Sequence, residues 1–205
     1  MSAPIRSHYQ DSTPVHDEPL VCVFDDFIST REIRRLKAAA ADRLEPARVM
    51  EDSGSINRNG RTGSMCWIRK DHDDVISALA GRVSEVVGIA LAHAEPFQLV
   101  HYGPAQSYAP HYDGWDAATE AGRRCMVRGG QRLVTCLFYL NDAPGSGTLF
   151  PRLRKTVEAR RGRLLVFHNC AAGSTALHPD SLHGGLPVRA GEKWVCNLWF
   201  RERPL

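Results

Sequence analysis

His111 and Asp113 stand two residues apart, and on an extended strand positions i and i+2 share a face. An imidazole and a carboxylate then converge on one point without any special turn. Two such groups do not close a coordination shell, so a third ligand must come from elsewhere in the chain. His183 is the leading candidate, because Gly184 and Gly185 follow it and glycine lets backbone approach closely. Its rivals are His168, inside an apolar run, and His178, which precedes Pro179 in a loop. Two histidines and one carboxylate leave the opposite side of a metal open. That donor set suits a non-haem iron(II) that must still bind a cosubstrate and dioxygen. Standing alone, His-x-Asp is more often an ordinary solvated strand pair.

The elements that must hold these groups follow from composition and pattern. The chain has 205 residues, 43% hydrophobic and 24% charged, which fits one soluble globular domain with a sizeable core. A net charge of +3, with no dense Lys/Arg block, gives no footprint for a nucleic acid or a membrane surface. The six cysteines include no Cys-x-x-Cys pair, which argues against a zinc site or a redox couple. No basic start leads into an apolar leader, and no long apolar segment occurs. A cytoplasmic location is expected, and its reducing conditions suit ferrous iron.

Residues 1–19 lack an apolar period and read as a flexible tail, with 20–205 as a single domain. Leu20–Phe24 is an apolar strand. Ser29 and Glu32 form a capping box that opens a helix running to near Leu44, before Pro46. Residues 51–60 are loop-like and placed to border a substrate cleft. Arg61–Ile68 reads as a strand. A second helix begins near Asp73, buries a stripe of Val75, Ile76, Leu79, Val83, Val86 and Val87, and ends near Gly88. From Pro96 onward strands alternate with turns, and no long helical period returns. Support elements over 20–95 followed by catalytic strands over 96–205 give an α+β fold with helices packed against one sheet.

Parity sharpens the last strand. Lys193, Val195, Asn197 and Trp199 share one face; Trp194, Cys196, Leu198 and Phe200 share the other, which is wholly apolar. The first face should point inward. An inward lysine needs an anionic partner, unless it sits at the strand mouth and reaches solvent. Leu133, Thr135, Leu137 and Tyr139 likewise share a face.

Taken in order, several motifs resemble the prolyl 4-hydroxylase branch of the iron(II)/2-oxoglutarate dioxygenases. They are Tyr102, Gly103, Tyr108, His111 and Asp113; Arg132, Thr135 and Tyr139 to Asp142; Gly145, Thr148, Phe150 and Pro151; Gly162 to Phe167; His183; Pro187 and Val188; and Gly191, Lys193, Asn197 and Trp199. Phe24 to Phe27 and Arg61 to Ser64 look like the family's early landmarks. The ten-residue step from His183 to Lys193 is the family's own. One departure stands out: Gly145, Ser146, Gly147 and Thr148 occupy the turn where the family has Gly-Gly-Glu-Thr.

The resemblance implies a double-stranded β-helix, or jelly roll, with the metal at one open end. It implies Fe(II) on His111, Asp113 and His183, with 2-oxoglutarate and O2 as cosubstrates and ascorbate as a candidate reductant. Lys193 would take the far carboxylate of 2-oxoglutarate, with Arg189 as the alternative. Tyr102, Tyr139 and Thr148 would add hydrogen bonds. Tyr108 and Trp199 would line a proline pocket, and Arg61 would donate to a peptide carbonyl.

The implied reaction is hydroxylation of proline in a peptide or protein, coupled to decarboxylation of 2-oxoglutarate to succinate. A free amino acid or small biosynthetic intermediate is the alternative substrate; a catalytically silent binding module on the same fold is the alternative role. Halogenation is disfavoured, because the family's halogenases lack the carboxylate that Asp113 supplies. A nucleic-acid dealkylase is a poor match, because Val195 to Arg201 lacks the first arginine and the threonine of that family's Arg-x-Asn-x-Thr-x-Arg.

Overall fold

Hydrogen bonding in the computed structural model, which describes residues 5–47, 49–50, 56–57 and 60–205, organises the chain into two main antiparallel sheets. In chain order the strands are β1 (Thr13–His16), β2 (Val21–Phe24), β3 (Glu45–Pro46), β4 (Val49–Met50), β5 (Ile56–Asn57), β6 (Ser64–Ile68) and β7 (Phe97–Tyr102). They continue as β8 (Tyr108–His111), β9 (Arg132–Tyr139), β10 (Gly147–Phe150), β11 (Lys155–Glu158), β12 (Leu164–His168), β13 (His183–Gly185) and β14 (Lys193–Arg201). The helices are α1 (Thr30–Ala40), α2 (Asp74–Val87) and α3 (Glu120–Met126). The larger sheet has eight strands in the order β1-β2-β12-β9-β14-β7-β6-β3. The smaller has four, β11-β10-β13-β8, and β4 pairs with β5 in a two-stranded sheet.

The larger sheet separates two apolar cores, as the parity argument requires. Its outer face carries Cys136, Phe138, Cys196, Leu198 and Phe200, packed with Ile33 and Leu36 of α1 and Ile76, Leu79 and Val83 of α2. Each fully buried aliphatic of that kind contributes roughly 1.5–3 kcal/mol. The inner face carries Val100, Leu137, Tyr139 and Val195, which meet Phe150 and Val157 of the smaller sheet. This is the expected jelly roll with helices on the outside of its major sheet.

The helix ends follow their local chemistry. Ser29 and Glu32 form the full capping box at α1. Asp73 caps α2 by accepting from Val75 N and Ile76 N, and Gly88 closes it in the left-handed region at φ 71°, where a Cβ is strained.

Three expectations need correction. The stretch read as a tail is built into the fold over residues 5–19. Tyr9 is buried against the outer core, and β1 pairs with β2. Hydrogen bonds to a neighbouring strand and one aromatic anchor hold a segment that has no apolar period of its own. Secondly, α3 lies where only strands and turns were expected. It has seven residues, too few for a readable period, and Thr119 Oγ1 caps it by accepting from Gly122 N. Thirdly, Leu133 faces the outer core, not the face of Thr135 and Tyr139. A bulge explains this: Phe200 pairs with Val134, but Arg201 pairs with Arg132, leaving Leu133 unopposed. Of the loop expected over 51–60, residues 51–55, 58 and 59 lie outside the described residues, and Ile56–Asn57 form β5.

Candidate active site

Strand pairing brings the two histidines together. β13 runs antiparallel to β8, and His183 is the direct partner of His111. A Cβ on Gly184 would lie 3.0 Å from Tyr108 O and 3.1 Å from Pro110 N, so this close approach of backbone favours glycine. The Asp113 carboxylate comes between the imidazoles, with Oδ1 3.5 Å from His111 Nε2 and Oδ2 3.5 Å from His183 Nε2. One ligand atom from each residue lies within 4.8 Å of the others, the one such group among the described residues.

Backbone carbonyls set the tautomers. His111 Nδ1 lies 2.9 Å from Ala109 O, and His183 Nδ1 lies 2.9 Å from Ser181 O. A carbonyl only accepts, so each Nδ1 carries the proton and each Nε2 presents a lone pair. Burial pushes the His183 imidazole down to about 4, which keeps it neutral near pH 7. Burial alone would raise the Asp113 carboxyl, but His183, His111 and Arg132 outweigh it and hold the group well below the usual carboxylate range. Two imidazoles and one carboxylate, open on one side, are a donor set that fits iron(II). The rival histidines stand apart. His168 Nε2 is bonded to Tyr9 OH at 3.0 Å, and His178 Nδ1 accepts from Asp180 N at 3.1 Å.

All ten residues expected at the site line a single cavity of about 1010 Å³. On one side lies Lys193, fully buried as parity required. Its Nζ donates to Leu186 O at 2.8 Å and to Ser146 Oγ at 3.0 Å. It sits 5.0 Å from the centre of the Tyr102 ring. No carboxylate pairs with it among the described residues, and burial lowers it to about 8. A buried ammonium with only neutral acceptors is completed by a carboxylate ligand. Tyr139 OH lies 2.7 Å from Thr148 Oγ1, and burial pushes the phenol well above its ordinary value, so it stays a neutral hydroxyl. Arg189, the alternative anion partner, is exposed and lies outside the cavity.

On the other side the walls are aromatic. Tyr108 stacks on His111 with ring centres 3.6 Å apart and planes 20° apart. The Arg61 guanidinium lies 4.7 Å from the Tyr108 ring centre and donates through NH2 to Gln98 Oε1 at 3.0 Å. Arg61 is buried, yet its Nε has no partner among the described residues. Trp199 does more than line a pocket: its indole N–H donates to Asp113 Oδ2 at 2.8 Å. Trp67 flanks it with ring centres 6.0 Å apart.

Several groups escaped the sequence reading. Thr135 Oγ1 donates to Asp113 Oδ2 at 2.8 Å, and Asn169 Nδ2 donates to Thr135 Oγ1 at 2.9 Å. The shared face with Tyr139 was a usable signal for Thr135. Asn169, just past the end of β12, carried none. Gln98 and Trp115 also line the cavity, and neither sits in a motif with chemical meaning.

Comparison with known proteins agrees with this geometry. The profile of the 2OG-Fe(II) oxygenase superfamily matches residues 97–201. Prolyl 4-hydroxylase 5 of Arabidopsis thaliana is 31% identical over 205 aligned residues, covering 89% of this chain and 68% of the plant protein. The viral collagen prolyl hydroxylase of Paramecium Bursaria Chlorella virus-1, solved as its 2OG complex, superposes with a TM-score of 0.68 at 28% identity over 88% of this chain and 95% of the viral one. A Pseudomonas putida prolyl-4-hydroxylase shares the fold, with a TM-score of 0.60 at 20% identity over 89% of this chain and 92% of that one. The metal-binding triad, the buried lysine and these likenesses converge: the chain belongs to the prolyl 4-hydroxylase branch of the 2OG-Fe(II) oxygenase superfamily and is a 2-oxoglutarate-dependent dioxygenase.

Proposed function

We propose that this enzyme hydroxylates proline within a peptide or protein. The observation that carries the reading is the extent of the cavity. It is about 1010 Å³, at the upper end of the roughly 300–1,000 Å³ of small-ligand pockets. It continues past the triad between Tyr108, Trp199, Trp67 and Trp115. Flat aromatic walls suit a compact apolar ring and keep water from the reacting carbon. Support also comes from the names of the plant and viral relatives, both prolyl hydroxylases.

Each residue then has a task. His111, Asp113 and His183 hold Fe(II), and Lys193 pairs with the far carboxylate of 2-oxoglutarate. Thr148, Tyr139 and Tyr102 complete the cosubstrate pocket with their hydroxyl groups. Bound iron and 2-oxoglutarate supply, with dioxygen, the oxidant that puts one oxygen atom into a substrate C–H bond and the other into succinate. Tyr108 and Trp199 orient the ring, and the unpartnered Nε–H of Arg61 donates to a backbone carbonyl beside it.

The test is incubation of iron-loaded enzyme with 2-oxoglutarate and either proline-rich peptides or free proline, followed by mass spectrometry. A gain of one oxygen on peptide proline is expected. Oxygen on a free amino acid but on no peptide would replace the peptide reading with a small-molecule one.

A further inference from the structure

One oxygen of Asp113 is an anchor. Oδ2 accepts from both Thr135 Oγ1 and Trp199 Nε1, each at 2.8 Å. Thr135 in turn accepts from Asn169 Nδ2 at 2.9 Å. Thr135 and Asn169 are fully buried, so no solvent competes for these bonds.

The relay has only one consistent direction. Trp199 Nε1 can only donate, so Asp113 Oδ2 accepts, as it must in a carboxylate that holds a metal. Thr135 has a single proton and must give it to Oδ2. The Asn169 atom facing Thr135 Oγ1 must therefore be a donor, which fixes the amide with Nδ2 toward Thr135. Oδ1 of Asn169 is then left buried without a partner. A fully buried, unsatisfied carbonyl is unfavourable, and it persists here on the residue that orients the threonine.

We propose that Thr135 and Asn169 are positioning residues for the metal centre: they lock the Asp113 carboxylate so that Oδ2 is held by protein and Oδ1 is offered to iron. Ligation through one oxygen would leave room on the metal for the cosubstrate and dioxygen. Hydrogen bonds to a ligating carboxylate fix its rotation and tune metal affinity.

The test uses metal binding, read independently of turnover. Apo-protein is titrated with Co(II) under anaerobic conditions, following the visible absorption of the bound ion. Thr135→Val keeps the shape of the side chain and removes the donor; its affinity should fall about 10- to 100-fold, with a changed absorption spectrum. Thr135→Ser should restore both. Asn169→Ala should weaken binding about fivefold, the worth of one directed hydrogen bond. The double variant Thr135→Val/Asn169→Ala should be no weaker than Thr135→Val, because Asn169 acts through Thr135. Thr135→Ala replaces Thr135→Val if the valine variant does not fold. Wild-type affinity and spectrum in the Thr135 variants, or additive losses in the double variant, would overturn the proposal.

Discussion

The guanidinium of Arg132 lies 3.9 Å from the centre of the Trp199 ring, the ring that donates to Asp113. Arg132 is itself clamped by Glu95, with Nε and NH2 each 2.7 Å from a carboxylate oxygen. Arg201 NH1 shares the same carboxylate at 2.9 Å. Glu95 therefore balances two arginines, Arg201 buried and Arg132 partly so. Burial alone would raise its carboxyl, but Arg132 and Arg201 outweigh that and hold it low. Glu95→Ala removes the carboxylate that both guanidinium groups are bonded to and should cost about 3–5 kcal/mol of stability. Urea unfolding of the variant measures this, and a loss under about 1 kcal/mol would mean that the pairs behave as solvated ones.

Metal removal separates ligand from scaffold. His183→Ala should abolish iron binding and turnover while leaving the thermal transition of the apo-protein within a few degrees of wild type. The reason is that the three ligands cluster at the cavity wall and not in either apolar core. Iron titration with parallel circular dichroism checks both halves. Retained affinity would move the third-ligand role to another histidine.

Lys193→Ala should raise the Michaelis constant for 2-oxoglutarate about tenfold to a hundredfold and leave iron affinity unchanged, the worth of one charge-assisted contact. A pH effect follows from its depressed value. With no carboxylate beside it, Lys193 loses its proton at about 8, so above that pH 2-oxoglutarate must bind together with a proton. Its apparent affinity should be steady near pH 7 and about tenfold weaker by pH 9. Calorimetry in buffers of different ionisation enthalpy reports the proton uptake directly. An affinity independent of pH would show that Lys193 does not carry the carboxylate.

His168 ties the N-terminal segment to the outer core, and burial lowers its imidazole from 6.5 to about 4. The unfolded chain then takes up the proton first. Stability is intact above pH 6.5 and falls as the pH drops toward 4, by about 3 kcal/mol in all. His168→Gln should reduce that slope and leave the part due to His183, whose imidazole burial also lowers to about 4. Unfolding free energies between pH 7 and 4 test the sign as well as the size.

Much of the site was legible because strands make a two-residue code. The alternation along β14 sorted Lys193 and Trp199 from Cys196 and Phe200, and the His-x-Asp pair needed only an extended backbone. The Gly-Gly after His183 and its ten-residue step to Lys193 then set it ahead of His168. Other features depend on contacts distant in the chain. The bulge at Leu133 is a mismatch between β9 and β14, and neither strand betrays it alone. Asn169 acquires its role only because β12 ends beside β9, which puts its amide against Thr135. Tyr9 looked like part of a polar tail because its burial depends on His168, distant in sequence.

Strand β1 is the outermost member of the larger sheet, and Pro14 sits within it opposite Cys22. Proline has no N–H to offer, so β1 is a poor template for a further strand. Beneath it, Val21 to Phe24 form an apolar ribbon buried along its whole length. A chain shortened to begin at Leu20 would keep every metal and cosubstrate residue, yet it would uncover that ribbon's unpaired backbone. Its failure would be colloidal: self-association through β2, beyond any shown by the 205-residue chain at the same concentration.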